Sequence, residues 1–302
     1  MTSILITGAT GYIGGCLAKK LIGNPEFRIR LLVRRPGNLP ADLAGQVEIV
    51  QGDTFDRKIL LHALSGIRVA YYLIHSMGGG KDFEQKDRIS AENFRDACID
   101  AGVQRVIYLG GLGELGSASS HLRSRMETGE ILSAGPQQLQ TIWFRAGVIV
   151  GQGSAGFEII KNLVKKLPVM ITPRWVRTRT QPIGIDDALA YLTAAAKLDV
   201  TGNLVVDIGV KEVTTFKGMM ELTAGLMDYR LMILPFPVLT PHFSSYWLIL
   251  FSPISFHVAA ALIEGLRSET VITNNNAEIY FPGISTISLK EAVRHALGIT
   301  RE

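Results

Sequence analysis

Short β-branched apolar runs alternate with longer amphipathic stretches through the first half of the chain, the pattern of a parallel sheet covered by helices on both faces. Runs at residues 3–7, 28–33, 47–50, 69–74, 106–109 and 141–145 predict six strands. Between them, helical spacing predicts helices over residues 12–22, 57–64, 82–101 (closed by Gly102) and 122–133 (followed by Gly135). After about residue 150 the rhythm changes, and residues 157–167, 186–197, 215–226 and 289–297 read as helices around short strands. The expected architecture is α/β: a doubly wound parallel sheet over residues 1–150, with a smaller region over 151–302 packed on it, partly interwoven with it and facing a second ligand.

Composition agrees with a packed core. Of 302 residues, 47% are hydrophobic and only 19% charged, which excludes a disordered chain. Lys and Arg (31) against Asp and Glu (27) leave +4, too small an excess for a nucleic-acid groove unless clustered, so no nucleic-acid partner is expected. Cys16 and Cys98 fall in helical segments, which suits free thiols in a reducing compartment. Met1 runs almost directly into Ile4-Leu5-Ile6 with no basic, long-apolar leader, so a cytoplasmic location is expected. Residues 231–263 hold no Asp, Glu, Lys or Arg but include Pro235, Pro237, Pro241 and Pro253. The longest unbroken apolar run there, residues 246–251, is far short of a bilayer span, so no transmembrane span is expected. This stretch is expected to be core or an apolar lid over a substrate pocket, with a subunit interface or a membrane-surface contact as alternatives.

The sharpest local signal is Gly8-Ala9-Thr10-Gly11-Tyr12-Ile13-Gly14, which follows a strand and opens a helix. Gly8 permits a tight turn, Gly11 lets backbone amides approach a pyrophosphate, and Gly14 allows close packing of the helix on the sheet. The helix N-terminus then offers amide donors and a positive dipole end to an anion. Gly8, Thr10, Gly11, Tyr12, Ile13 and Gly14 are therefore the expected dinucleotide-binding residues. The second strand runs out into Arg34-Arg35, where an NAD-selective site wants a carboxylate; two guanidinium groups suit a 2′-phosphate instead. NADP(H) is the expected cofactor, with NAD(H) as the alternative. Asp53, beside Thr54 at the end of the third strand, can accept from an adenine amino group or, alternatively, cap the following helix.

These segments resemble the short-chain dehydrogenase/reductase superfamily, in its extended or atypical branch, and most closely NmrA-like and epimerase-like NAD(P)-binding proteins. The resemblance rests on residues 7–14, Gly52-Asp53, residues 101–109, 145–151 and 181–188, and it covers roughly residues 1–210. Residues 72–77 and 121–125 resemble an uncharacterised bacterial subgroup. It implies a Rossmann fold, nicotinamide-dependent hydride chemistry, and a Tyr-x-x-x-Lys pair whose lysine lowers the tyrosine pKa. None of the eight tyrosines has a lysine four residues on. His121 and Arg125 stand at the corresponding place, four apart on one helical face, while Gly110-Gly111-Leu112-Gly113 replaces the expected hydroxyl residue after the fifth strand.

Arg125 cannot act as an acid but can orient the nicotinamide ribose. His121 can donate a proton, helped by Ser117, Ser119 or Ser120, or can be a locally bonded helix-start residue. Leu73, Ile74 and His75, at the carboxyl end of the fourth strand, are expected at the cofactor. Arg174, Arg177 and Arg179 form a loop that can clamp an anionic substrate, or can be solvated. Asp186 and Asp187 are expected as helix caps. Phe83, Ile89, Phe94, Ala97 and Cys98 suggest packing or a homodimer face. No His or Cys pair has ligand spacing, so no metal is expected. The functional expectation is an oxidoreductase on a small, largely apolar substrate. Two other classes are a catalytically silent NADP(H) sensor acting through a protein partner and a nucleotide-sugar epimerase or dehydratase.

Overall fold

The computed structural model describes residues 1–43, 45–75, 82–114, 116, 118–135, 137, 139–172, 174–235 and 268–299. The strands in chain order are β1 (Thr2–Thr7), β2 (Phe27–Val33), β3 (Glu48–Gln51), β4 (Val69–Tyr72), β5 (Arg105–Gly111), β6 (Gln140–Ala146), β7 (Ile149–Val150), β8 (Val169–Thr172), β9 (Arg179–Thr180), β10 (Ile183–Gly184), β11 (Leu204–Ile208), β12 (Thr214–Thr215) and β13 (Met232–Pro235). The helices are α1 (Tyr12–Ile22), α2 (Arg57–Leu64), α3 (Phe83–Asp100), α4 (Ser120–Ser133), α5 (Ala155–Lys166), α6 (Ile185–Ala195), α7 (Phe216–Leu226), α8 (Asn276–Tyr280) and α9 (Leu289–Leu297).

A seven-stranded sheet runs in the order β11-β6-β5-β4-β1-β2-β3, with every adjacent pair parallel. Strand alternation divides the core. Ile4 and Ile6 of β1 join a cluster under α1 and α6, while Leu5 joins one that also contains Leu60 of α2, Phe94 of α3 and Met126 of α4. All six expected strands belong to this sheet, although β4 ends at Tyr72 rather than at residue 74. The seventh, β11, comes from the second half of the chain and pairs with β6, so the two regions interlock there. Its short run Leu204-Val205-Val206 carries Asp207, a residue unusual in a buried strand, which hid its place in the main sheet.

Asp207 is fully buried because Arg145 of β6 meets it from the neighbouring strand, Nε to Oδ1 at 2.6 Å and Nη2 to Oδ2 at 3.0 Å. Thr273 adds two donors to Oδ2, its backbone N–H and its hydroxyl, each at 2.8 Å. Together with Ile272 N–H donating to Gln181 Oε1 (2.8 Å), these bonds strap residues 268–275 across the sheet edge. A third core, with Phe157, Val164, Met219 and Val293, holds α5, α7 and α9 together in the C-terminal region.

Phe94, Ala97 and Cys98 of α3 are buried within the chain, and Ile89 is exposed, so packing accounts for most of that face. Asp186 and Asp187 are not caps: Gly184 is the N-cap of α6, and Asp187 Oδ2 accepts from Ile287 N–H at 3.1 Å, tying α6 to the approach of α9. Most of the uncharged 231–263 stretch, from residue 236 on, lies outside the described residues. Among the described residues, no helix is long and apolar enough to cross a membrane.

Candidate cofactor and substrate site

The sheet order reverses between β1 and β4, the place where ligand crevices open in such sheets. Gly8 ends β1 at φ +72°, and an added Cβ would stand 2.3 Å from the Leu73 carbonyl oxygen. Positive φ and close approach thus both demand glycine. Thr7 closes the same seam: Oγ1 donates to the Tyr71 carbonyl at 2.9 Å and accepts from Leu73 N–H at 3.1 Å. Gly14 meets the loop rather than the sheet, since an added Cβ would lie 2.3 Å from the Gly8 carbonyl oxygen. The first α1 bond is Gly15 N–H to Gly11 C=O, and no side chain caps this helix. The preceding amides, Tyr12, Ile13 and Gly14, therefore lack intrahelical acceptors, the arrangement that holds an anion.

Tyr12 leans over the next loop: an added Cβ at Gly151 would lie 2.2 Å from its hydroxyl oxygen. Burial, then the neighbouring Cys16, Asp186 and Glu158, push its phenol well above the ordinary range, so it is a neutral hydroxyl. Beyond β2, Arg34 and Arg35 are exposed, and Arg34 Nη1 lies 3.8 Å from Asp53 Oδ2. The cap of α2 is Asp56, which accepts from Lys58 and Ile59 N–H, so capping does not account for Asp53. Thr54 is buried and its hydroxyl joins a chain to Ser90 (2.6 Å) and on to Tyr72 (2.7 Å), directing the side chain into packing rather than into the crevice.

Past β4, Leu73, Ile74 and His75 are partly exposed. His75 Nδ1 lies 3.1 Å from Asp87 Oδ2 on α3, which also accepts from Ser124 Oγ of α4 at 3.0 Å. Burial lowers the His75 pKa below its ordinary value and Arg125 lowers it further, while the Asp87 hydrogen bond opposes them. Ser119 caps α4 by accepting from Leu122 N–H, which engages one of the expected hydroxyl helpers; Ser117 lies outside the described residues. His121 stacks on Phe83, centroids 4.1 Å apart and 14° between planes, and meets the His75 ring edge-on at 5.8 Å. One turn later, Arg125 Nη2 donates to the Leu109 carbonyl at 3.1 Å, while its buried Nε has no hydrogen-bond partner among the described residues.

Two of the glycines read as the turn after the fifth strand, Gly110 and Gly111, are the end of β5 itself. An added Cβ at Gly111 would lie 2.6 Å from Leu122 Cδ1, and one at Gly110 would lie 2.5 Å from Trp143 Nε1.

His75, His121, Arg125 and Tyr12 line one cavity of about 290 Å³ with an apolar wall that includes Leu112, Leu122, Val148 and Phe216. Arg177 is exposed and Arg179 pairs with Glu269 at 3.7 Å; neither lines this cavity, so the arginine clamp is not assembled there, and the Arg174 side chain lies outside the description. A larger cavity of about 580 Å³ sits at the opposite, amino-terminal ends of the central strands, where Arg105 donates to the carbonyls of Ala195 and Leu198 and to Gln140 Oε1, a structural use. Among the described residues, no cluster of three or more His, Cys, Asp or Glu could hold a metal. Asp87 was missed in the sequence. Its signal is a carboxylate in helical register with Ser90, Ala91 and Phe94, inside the buried stripe of α3.

Residues 8–141 match the model of a family described as NAD(P)H-binding, which covers the phosphate loop through the start of β6. Among curated relatives, an NmrA-like family domain-containing oxidoreductase of Aspergillus hancockii is 36% identical over 117 residues, 36% of this chain and 33% of that protein. The match spans about a third of the length of the first such relatives. Among solved structures, triphenylmethane reductase of Citrobacter sp. superposes with a TM-score of 0.77 at 20% identity, covering 98% of this chain and 99% of that one. That protein has also been solved complexed with NADP(H). A nucleoside-diphosphate-sugar epimerase of Staphylococcus aureus gives a TM-score of 0.74 at 18% identity, over 97% of this chain and 100% of its own. The class is thereby defined: an α/β chain with an NAD(P)H-binding domain of the Rossmann type. Relatives of that domain include NmrA-like oxidoreductases, and its structural neighbours include epimerase-like and reductase proteins.

Proposed function

We propose that this chain is an NADP(H)-dependent oxidoreductase acting on a small, largely apolar molecule. The observation that carries the reading is the convergence of His75, His121 and Arg125 with the uncapped start of α1 on one apolar-walled cavity. The residues fit a nicotinamide dinucleotide. Gly8 and Gly14 let the loop close against Leu73 and against itself, contacts that an added Cβ would break, and the buried Arg125 Nε has no hydrogen-bond partner among the described residues. Residues 8–14 would hold the diphosphate, Arg34 and Arg35 the 2′-phosphate, and Arg125 the nicotinamide ribose. The bound cofactor supplies or accepts hydride. The chain's own part is to orient, exclude water and move a proton through an imidazole.

A cofactor-oxidation screen of quinones, enones, aldehydes and triphenylmethane dyes, run on wild type and His121→Ala, tests the reading; dyes are included because a structural neighbour is a triphenylmethane reductase. Turnover supports it. Tight NADPH binding with no turnover on any class favours the second reading, a sensor that docks a protein partner. The specific support for that second reading is the absence of a Tyr-x-x-x-Lys pair, with Leu122 and Trp143 crowding the end of β5, where Gly110 and Gly111 stand.

A further inference from the structure

A buried carboxylate is costly unless its oxygens are hydrogen-bonded, so one kept in a helix's inward stripe calls for a partner that needs it. Asp87 is only 4% exposed, and its Oδ2 is shared by Ser124 Oγ at 3.0 Å and His75 Nδ1 at 3.1 Å. With Ser124 donating and the carboxylate able only to accept, the hydrogen between Asp87 and His75 belongs to Nδ1. That leaves the lone pair of neutral His75 on Nε2, and His75 lines the cavity. We infer that Asp87 is a positioning residue that, with Ser124, fixes His75 as the Nδ1–H tautomer and makes His75 Nε2 the atom that exchanges a proton with a substrate oxygen.

This deepens, and rests on, the oxidoreductase reading. When a carbonyl oxygen gains a proton, the His75 imidazolium loses it from Nε2 and is recharged from water. In the opposite direction, Nε2 takes the proton of a hydroxyl. The accompanying hydride is the cofactor's contribution. His121, stacked on Phe83 and crossed by the His75 ring, serves as the wall that holds the imidazole in place. Among the described residues, the charged and titratable groups around His75 are Asp87 from α3 and Arg125 and His121 from α4. The phenols of Tyr72 and Tyr108 stand behind Asp87 and are kept neutral by burial, that of Tyr108 raised to about 12.

The test is an NMR titration of ¹⁵N-histidine-labelled protein, read at His75, for wild type, Asp87→Asn and Ser124→Ala, with NADPH calorimetry on the same samples. Wild-type His75 should carry its hydrogen on Nδ1. Asp87→Asn removes the charge that favours imidazolium, so the midpoint should fall by about one pH unit. Ser124→Ala frees Oδ2 for His75 alone, so the midpoint should rise, and this variant leaves the carboxylate in place should Asp87→Asn fold poorly. Where a substrate is in hand, the pH profile of kcat should move by the same amount and in the same direction as each midpoint, with NADPH affinity within about threefold of wild type. A proton on Nε2, or midpoints that ignore both substitutions, overturns the inference. Failure of wild type to bind NADPH overturns the oxidoreductase reading separately, because the tautomer is read without cofactor.

Discussion

Gly14→Ala is the most exacting probe of the phosphate loop, because everything the new methyl meets is backbone. Its Cβ would lie 2.3 Å from the Gly8 carbonyl oxygen, 2.7 Å from that carbonyl carbon and 3.0 Å from Ala9 N. Comfortable contacts are about 3.5 Å or more, so loop and helix must separate by roughly 1 Å with no rotamer change to relieve them. Overpacking of this kind costs about 1–3 kcal/mol, offset by up to about 1 kcal/mol for the better helix former. The net loss of about 0–3 kcal/mol should lower Tm by no more than about 12 °C. Cofactor binding should suffer more, because the same shift displaces the first-turn amides from a diphosphate. Losing one hydrogen bond to a charged group, about 1.5–3 kcal/mol, raises Kd roughly 10- to 150-fold. Calorimetry with NADPH and thermal melting measure both effects. Gly23→Ala is the control: its φ is −72° and an added Cβ meets nothing within 4 Å, so Kd should hold and Tm should hold or rise. A Gly14→Ala protein with wild-type NADPH affinity would refute the loop geometry as the cofactor's grip.

Four other outcomes are expected. Replacing Arg34 and Arg35 with alanine should raise Kd for NADPH at least tenfold more than Kd for NADH, without changing Tm, since both side chains are exposed; equal losses in calorimetry remove the 2′-phosphate assignment. Gly129→Ala would press a Cβ to within 2.3–2.5 Å of the Trp143 ring, and chemical denaturation should show a loss of about 1–3 kcal/mol. Asp207→Asn leaves the partly exposed Arg145 without its anion and should cost about 1.5–3 kcal/mol in the same assay. The lowered pKa of His75 means the unfolded chain binds this proton more readily, so stability rises with pH through that interval and falls below about pH 6.5. Urea titrations at pH 5 and pH 7.5 should show a smaller acid loss in His75→Gln than in wild type.

The six strands and the phosphate loop were legible because each depends on local pattern: short β-branched apolar runs in one case, glycine at fixed offsets after a strand in the other. His121 and Arg125 could be placed on one helical face by counting, and the structure puts both on one cavity with His75. What stayed hidden depends on distant partners. β11 carries an aspartate that Arg145, 62 residues away, and Thr273, 66 residues away, make tolerable. Asp87 looks like an ordinary surface residue until α4 brings Ser124 against it. The arginine loop reads two ways in sequence, as a clamp or as solvated surface, and a long-range partner was not legible there: Arg179 pairs with Glu269, ninety residues on. Glycines can be read only in part from sequence, since nothing local says that Gly151 accommodates Tyr12 or that Gly129 accommodates Trp143.

The strap over residues 268–275 has a temporal meaning. Thr270 stands in the wall of the same cleft that Tyr12 opens, so the first and last pieces of that chamber leave the ribosome 258 residues apart. At translation rates of about 5–20 residues per second, the nascent chain waits roughly 13 to 52 seconds between them. Over the last part of that interval Arg145 and Asp207 already exist but still lack the threonine that completes their contact. On the proposed reading, the loop for the coenzyme is thus made before the enclosure in which a reaction would be sheltered from water.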